Sequence, residues 1–239
     1  MTSVTTPRPD PIVDLIVLAG GRAQRLDGQV KPAVEVAGRT LLSRVLDARG
    51  LARHVVVVGP EEARAAVPPG ATTATTGELT WTLEDPPFGG PVAGIVAGLA
   101  ELERVNPSGV ATDAPADWVL LLACDLPWAA DAARLLVPAA TDRGLPASVH
   151  GLHLVDAGGR AQWLAGIYRL APLRAAAARL GADARGASMR ALLAPLTLQG
   201  RHDRAGAGRD VDTWQDVEWS SALLNSNPPR GNPIRSDTA

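Results

Sequence analysis

The sequence predicts an α/β fold: a three-layer α/β/α sandwich, Rossmann-like, built on a mostly parallel mixed sheet. Three observations carry that reading. The runs Val13 to Leu18, Val55 to Val58 and Trp118 to Ala123 are apolar or nearly so along their length, as strands covered on both faces are. Helical segments with start signals alternate with them, which is the pattern of a sheet sandwiched between helices. The loops rich in glycine and aspartate follow the carboxyl ends of these strands, where open α/β sheets bind ligands.

The elements follow in order. Strand one is Val13 to Leu18, and a helix runs from Thr40, an N-cap candidate, through Leu51. His54 to Gly59 is a β-branched strand, and a short helix starts at Glu61. A strand at Leu79 to Leu83 leads through the loop Glu84 to Gly90 into a helix from Pro91 to about Val105, proline suiting a first helical turn. Asn106 to Asp117, small and polar with two prolines, reads as a loop. After Trp118 to Ala123, the pattern changes beyond Asp142. Ser148 to Val155 and Gln162 to Tyr168 read as strands around the turn Asp156 to Gly159. Pro172 to Leu180, Ser188 to Ala194 and Thr213 to Leu224 read as helices.

At 239 residues, 46% hydrophobic and 20% charged, the chain fits one domain over 12–224, with disordered tails at 1–11 and 225–239. A net charge of −2 lacks the basic footprint of a general nucleic-acid binder, so small ligands are expected. No apolar run approaches the ~20 residues of a membrane-spanning helix. The amino terminus lacks the charged-then-apolar order of a signal peptide, and the single cysteine, Cys124, allows no intramolecular disulfide; both point to the cytoplasm.

The turn Leu18-Ala19-Gly20-Gly21-Arg22, followed by Arg25 and Lys31, is suited to hold phosphates. Paired glycines let backbone amides approach an anion, and the two side chains supply charge. Neither the Walker A string nor the dinucleotide fingerprint is present, and a plain steric turn would also use these glycines. Lys31 is the only lysine in a chain that otherwise uses arginine, which points to a need for a compact ammonium.

Asp125 emerges from a buried strand, where a carboxylate needs a positive partner: an arginine, a helix N-terminus or, beside a phosphate loop, Mg²⁺. The stiff loop Glu84 to Gly94 could read a base edge, with Asp85 holding a ribose. Asp210 and Asp212 alternate along an extended segment and so share a face. One of them, Asp210 before Asp212, could complete a metal site, while Asp212 or Thr213 could instead cap the last helix. Cys124 lacks a paired histidine base, and His54, His150, His153 and His202 show no zinc spacing.

Taken together, Leu18-Ala-Gly-Gly with Arg25 and Lys31, Gly90-Pro91-x-x-Gly94, Cys124-Asp125-x-Pro127 and Asp210-x-Asp212-Thr213 resemble the nucleotidyltransferase family that includes molybdenum cofactor guanylyltransferase. The resemblance implies that Gly20, Gly21, Arg25 and Lys31 bind a triphosphate, that Asp125 holds Mg²⁺, and that Gly90 and Pro91 help to recognise guanine. Gln162 to Arg169 resembles the stretch facing a pterin, so Gln162, Trp163, Tyr168 and, further on, Arg190 are implied to bind the acceptor. The implied partners are GTP and a phosphorylated pterin; a monomer, or transient contact with molybdenum cofactor enzymes, is expected, and the sequence itself gives no oligomeric state. Transfer from CTP, or to a sugar phosphate or phospholactate, stays open, as does a GTP-binding module without turnover. Val30 stands where the family often has an acidic residue and Trp163 where it often has proline, which bears on acceptor identity.

Overall fold

The computed structural model describes residues 12–20, 29–67, 79–105 and 116–226. The expected tail 1–11, most of the expected loop 106–117 and residues 227–239 lie outside them. The elements are β1 (Val13–Leu18), β2 (Glu35–Val36), β3 (Arg39–Thr40), α1 (Leu41–Val45), β4 (Val55–Val58), α2 (Glu61–Arg64), β5 (Leu79–Thr82) and α3 (Pro91–Val105). Then follow β6 (Trp118–Ala123), α4 (Ala129–Thr141), β7 (Gly151–Val155), β8 (Ala161–Arg169), α5 (Leu170–Leu180), α6 (Met189–Leu193), β9 (Leu198–His202) and α7 (Trp214–Ser226). Asn225 and Ser226 therefore close a helix, two residues beyond the boundary that composition suggests.

One sheet organises the chain, in the order β5-β4-β1-β6-β8-β7-β9. β5, β4, β1 and β6 pair in parallel, β8 is antiparallel to both of its neighbours, and β9 returns parallel to β7. The mostly parallel mixed sheet of the sequence reading is what forms. Alternation along β1 explains the layers. Leu15 and Val17 join Leu42, Leu46, Ala132 and Leu136 on one face, while Ile16 and Leu18 join Ile95, Leu99, Leu173 and Leu192 on the other.

Helix α3 lies unusually close to the sheet because Gly94 and Gly98 face it. A methyl at 98 would sit 2.9 Å from Cγ2 of Ile16, and one at 94 would sit 3.2 Å from Cδ2 of Leu18. The short β2–β3 hairpin packs Val34, Val36 and Leu41 against Val211 and Val217, so the last helix is tied to the segment after β1.

Caps fall where the side chains predict them. Thr40 accepts from the Ser43 amide and Ser188 from the Ala191 amide, each at 3.2 Å. Before α7 the Asp216 carboxylate accepts the Thr213 amide (2.9 Å) while the Thr213 hydroxyl accepts the Asp216 amide (3.2 Å), a capping box with aspartate in the reciprocal position. Two elements carry little sequence signal: α4, alanine-rich and containing Pro138, and β9, whose Leu-Gln-Gly-Arg-His is mostly exposed.

Candidate active site

The sheet ends build the site. Past β1 the Ala19 amide donates to the carbonyl of Val58, past β4 the Gly59 amide to Thr82, and past β6 the Cys124 amide to Leu18. The ladder thus runs on for one residue, and the next residues, Gly20 and Asp125, turn into a shared crevice. Lys31 enters from the other side, on a 3₁₀ turn (Lys31–Ala33) started by Pro32 and held down by the hairpin behind it.

There its Nζ donates to Oδ2 of Asp125 at 2.7 Å and to Oδ1 of Asp212 at 2.6 Å. The residues that the sequence singles out, Lys31 and Asp125, lie 94 positions apart in the chain and touch. They line a cavity of about 400 Å³ together with Leu18, Gly20, Gly90, Pro91 and Gly94. Gly90 takes φ +89°, a backbone that only glycine adopts without strain, at the entrance to α3.

Among the described residues the centre carries more acidic than basic groups. Burial disfavours the ammonium of Lys31, but Asp125 and Asp212 outweigh it and hold the group well above its ordinary range. Burial raises the pKa of Asp125. Lys31 pulls it down, and Asp210 and Asp212 add to the rise. Among the described residues two carboxylates contact the one ammonium, and Asp210 adds its charge beside Asp125. Cys124, buried beside them, has its thiol pushed up by burial and by Asp125, which disfavours the thiolate.

Other residues stand differently from the sequence reading. Gly21, Arg22 and Arg25 lie outside the described residues. The side chain of Ala19 is in the core, not in the cavity. Asp85 is exposed and off the cavity wall, and Glu84 lines it instead. The reason is local: Oε1 of Glu84 accepts the Phe88 amide at 3.1 Å, closing the loop with Glu84 inward.

Tyr168, expected to bind the acceptor, does not line the cavity. It is fully buried, its ring lies over Gly166 and against Gly151, and its hydroxyl donates to the Trp163 carbonyl at 2.7 Å. Gln162 bonds to Asp156 in the β7–β8 hairpin at 3.0 Å, Trp163 packs on the α3/α5 layer, and Arg190 is exposed on α6; none of the three lines the cavity. Leu164 does. Pairing jumps from His153–Gly166 to Leu154–Gln162, so 163–165 bulge from β7 and bring Leu164 to the rim. Such a bulge leaves no mark in the alternation of a sequence already apolar on both faces.

Among the described residues no group of three ready-made metal-ligating side chains exists. Asp125, with Asp210 or Asp212, is a partial donor set of the kind Mg²⁺ uses when phosphate oxygens complete its shell.

By topology, and by the rim on which these charges meet, the molecule is of the nucleotide-handling α/β class. The family model described as the MobA-like NTP transferase domain matches residues 15–204, and the chain belongs to that family. It is 34% identical over 120 residues to a molybdenum cofactor guanylyltransferase of Rhodopseudomonas palustris (strain BisB5), covering 49% of this chain and 50% of the relative. A molybdenum cofactor guanylyltransferase of Vibrio cholerae is 27% identical over 132 residues, covering 55% and 56%. The chain thus spans about half the length of the curated relatives it matches.

Among solved structures, a 4-diphosphocytidyl-2C-methyl-D-erythritol synthase of Anaerococcus prevotii superposes with a TM-score of 0.62 at 12% identity, over 90% of this chain and 97% of that one. A nucleotidyl transferase of a Methanothermobacter gives 0.61 at 16% identity, over 90% and 99%. These two share the fold. Among the described residues no helix is long and apolar enough to cross a membrane.

Proposed function

We propose that the chain is a Mg²⁺-dependent nucleotidyltransferase that moves GMP from GTP onto the terminal phosphate of molybdenum-loaded molybdopterin, releasing pyrophosphate. The observation that carries this reading is the meeting of Lys31 and Asp125, 2.7 Å apart, on the wall of a cavity whose other walls are the Gly20 turn and the Gly90-Pro91 helix start. In the reaction an oxygen of the acceptor phosphate bonds to the α-phosphorus of GTP. The bond from that phosphorus to the β-bridging oxygen breaks, and pyrophosphate leaves with the electron pair. The acceptor phosphate is largely ionised at neutral pH, its second pKa being about 6, so no general base is required.

The work left to the protein is to align two anions and to spread the charge of the leaving group. The amides after β1 and the Lys31 ammonium serve the triphosphate. Asp125, with Asp210 or Asp212, would hold Mg²⁺, which supplies charge neutralisation at the phosphates. Two of the three N–H groups of Lys31 are engaged by Asp125 and Asp212, which leaves one for a phosphate oxygen.

Glu84 favours guanine over cytosine. A carboxylate accepts from the adjacent N1–H and N2–H of guanine, whereas cytosine offers two acceptors and one donor along its pairing edge, and an unmatched buried acceptor is strongly rejected. The test is pyrophosphate release with GTP, CTP or UTP offered against molybdopterin, a sugar phosphate and phospholactate. Release from GTP with molybdopterin alone is expected. Release from CTP, or with another acceptor only, overturns the assignment of substrates, and GTP binding without release from any pair overturns the activity.

A further inference from the structure

We infer that Asp203 is a positioning residue: its buried carboxylate sets the path of the segment that delivers Asp212 to Lys31. The segment from the end of β9 to the start of α7 carries Asp210 and Asp212, has no regular structure, and still ends with Asp212 Oδ1 2.6 Å from the lysine. Something must fix it.

Asp203 is 7% exposed, and both of its oxygens are spent on the segment's own backbone: Oδ1 accepts the Ala207 amide at 2.8 Å and Oδ2 the Gly208 amide at 2.7 Å. Its own amide donates to Val155 at the end of β7, at 2.9 Å, so the turn is bolted to the sheet. The turned residues are seated in the core. Ala207 is buried, and a methyl at Gly208 would lie 3.2 Å from Cδ1 of Leu154. Three residues on, the buried Val211 donates its amide to the Asp125 carbonyl at 3.0 Å. With the turn and Val211 both fixed, Asp210 and Asp212 have little path left but the one toward the crevice.

A carboxylate suits this task better than an amide would. It accepts on both oxygens from converging N–H groups, whereas asparagine accepts on one and turns an N–H toward the other donor. Losing the side chain leaves two buried amides without partners, and the segment is expected to relax away from the lysine.

The placement of Asp212 can be read without any substrate, because Lys31 is the only lysine in the chain. Protein made with ¹⁵N,¹³C-lysine has one Nζ/Cε signal, and that signal faces Asp125 and Asp212. Asp212→Ala is expected to move it. Asp203→Ala is expected to move it the same way, Asp203→Asn by less, and Asp203→Ala added to Asp212→Ala is expected to move it no further. A lysine signal at the wild-type position in folded Asp203→Ala overturns the inference, as does a further shift in the double variant.

The effect on turnover rests on the activity proposed above. With GTP and molybdopterin, Asp203→Ala is expected to lower kcat ~100-fold, since ångström-scale misplacement of a reacting group costs about that much. GTP binding should stay within ~2-fold, and the loss should vanish in the Asp212→Ala background. An equal loss in both backgrounds overturns the route through Asp212. If the wild type releases no pyrophosphate, the proposed activity falls while the lysine signal still decides the role of Asp203.

Discussion

Among the described residues two irregular segments serve the site, one lining the cavity at 84–90 and one bringing Asp212 to Lys31, and they are fastened in opposite ways. The wall at 84–90 is gripped from outside: exposed Arg185 donates to the carbonyls of Pro86 (2.7 Å) and Pro87 (3.3 Å), and the Gly186 amide donates to Gly89 (2.8 Å). The segment 203–212 is gripped from within, by a buried carboxylate accepting two amides. Bonds made in water are cheap to break, whereas leaving buried donors unpaired costs about 1–3 kcal/mol. Asp212 therefore sits on the stiffer anchor, and the loop 84–90 sits on one that can give; on the proposed function these are the phosphate side and the base side.

That contrast can be broken, starting at the centre. Asp125→Ala should lower pyrophosphate release ~1,000-fold or more with the melting temperature little changed, because the side chain is spent on Lys31 and not on packing. Near-normal rates would show that the Lys31–Asp125 pair does not carry the chemistry. Lys31→Ala should cost ~100-fold, and it also leaves Asp125 and Asp212 facing each other without their cation.

Arg185→Ala sharpens the comparison from the other side. It should raise the KM for GTP ~5-fold and leave kcat alone, as loss of an exposed grip on a binding loop does. A fall in kcat without a change in KM would place the base-side loop in the reacting geometry instead.

The smallest effect is a pH effect on stability. The Thr213 hydroxyl and the amides of Asp212 and Thr213 hold Asp216 below the usual carboxylate range. A depressed folded-state pKa contributes stability above the unfolded value of ~3.9 and loses it as pH falls through the folded value. The melting temperature should therefore drop as the pH is taken below about 4. Asp216→Asn should flatten part of that drop, and an unchanged profile would show that the cap contributes nothing at acid pH.

The part of the sheet built on β4, β1 and β6 is legible in its sequence because burial on both faces writes itself as runs made almost wholly of Val, Leu and Ile. The starts of β1 and β6 were readable to the residue. The rest is less so. In β9 only Leu198 is even partly buried, so edge position and polarity erase the strand signal. Helix α4 draws its buried face largely from Ala129, Ala132, Ala133 and Ala140, small residues that set up little contrast with its outer face.

The same distinction holds in the site. Lys31 and Asp125 were legible as a lone lysine and a charge ending an apolar run. Glu84 was not, because a local hydrogen bond to Phe88, not composition, decides that it and not Asp85 faces inward. Tyr168 misled for a related reason: a tyrosine near a ligand-facing stretch and one folded over two glycines of its own sheet read alike until the pairing is known.

The close seating of α3 on the sheet makes the crevice a calibrated gap whose gauge is two hydrogen atoms, those that stand where Gly94 and Gly98 would otherwise carry carbon. Enlarging Gly98 should push the helix, with Gly90 and Pro91 at its amino end, outward from β1, and on the proposed function that would loosen the grip on the base. Variation in this protein should consequently be tolerated on the outward side of that helix and refused along the thin line where it rests.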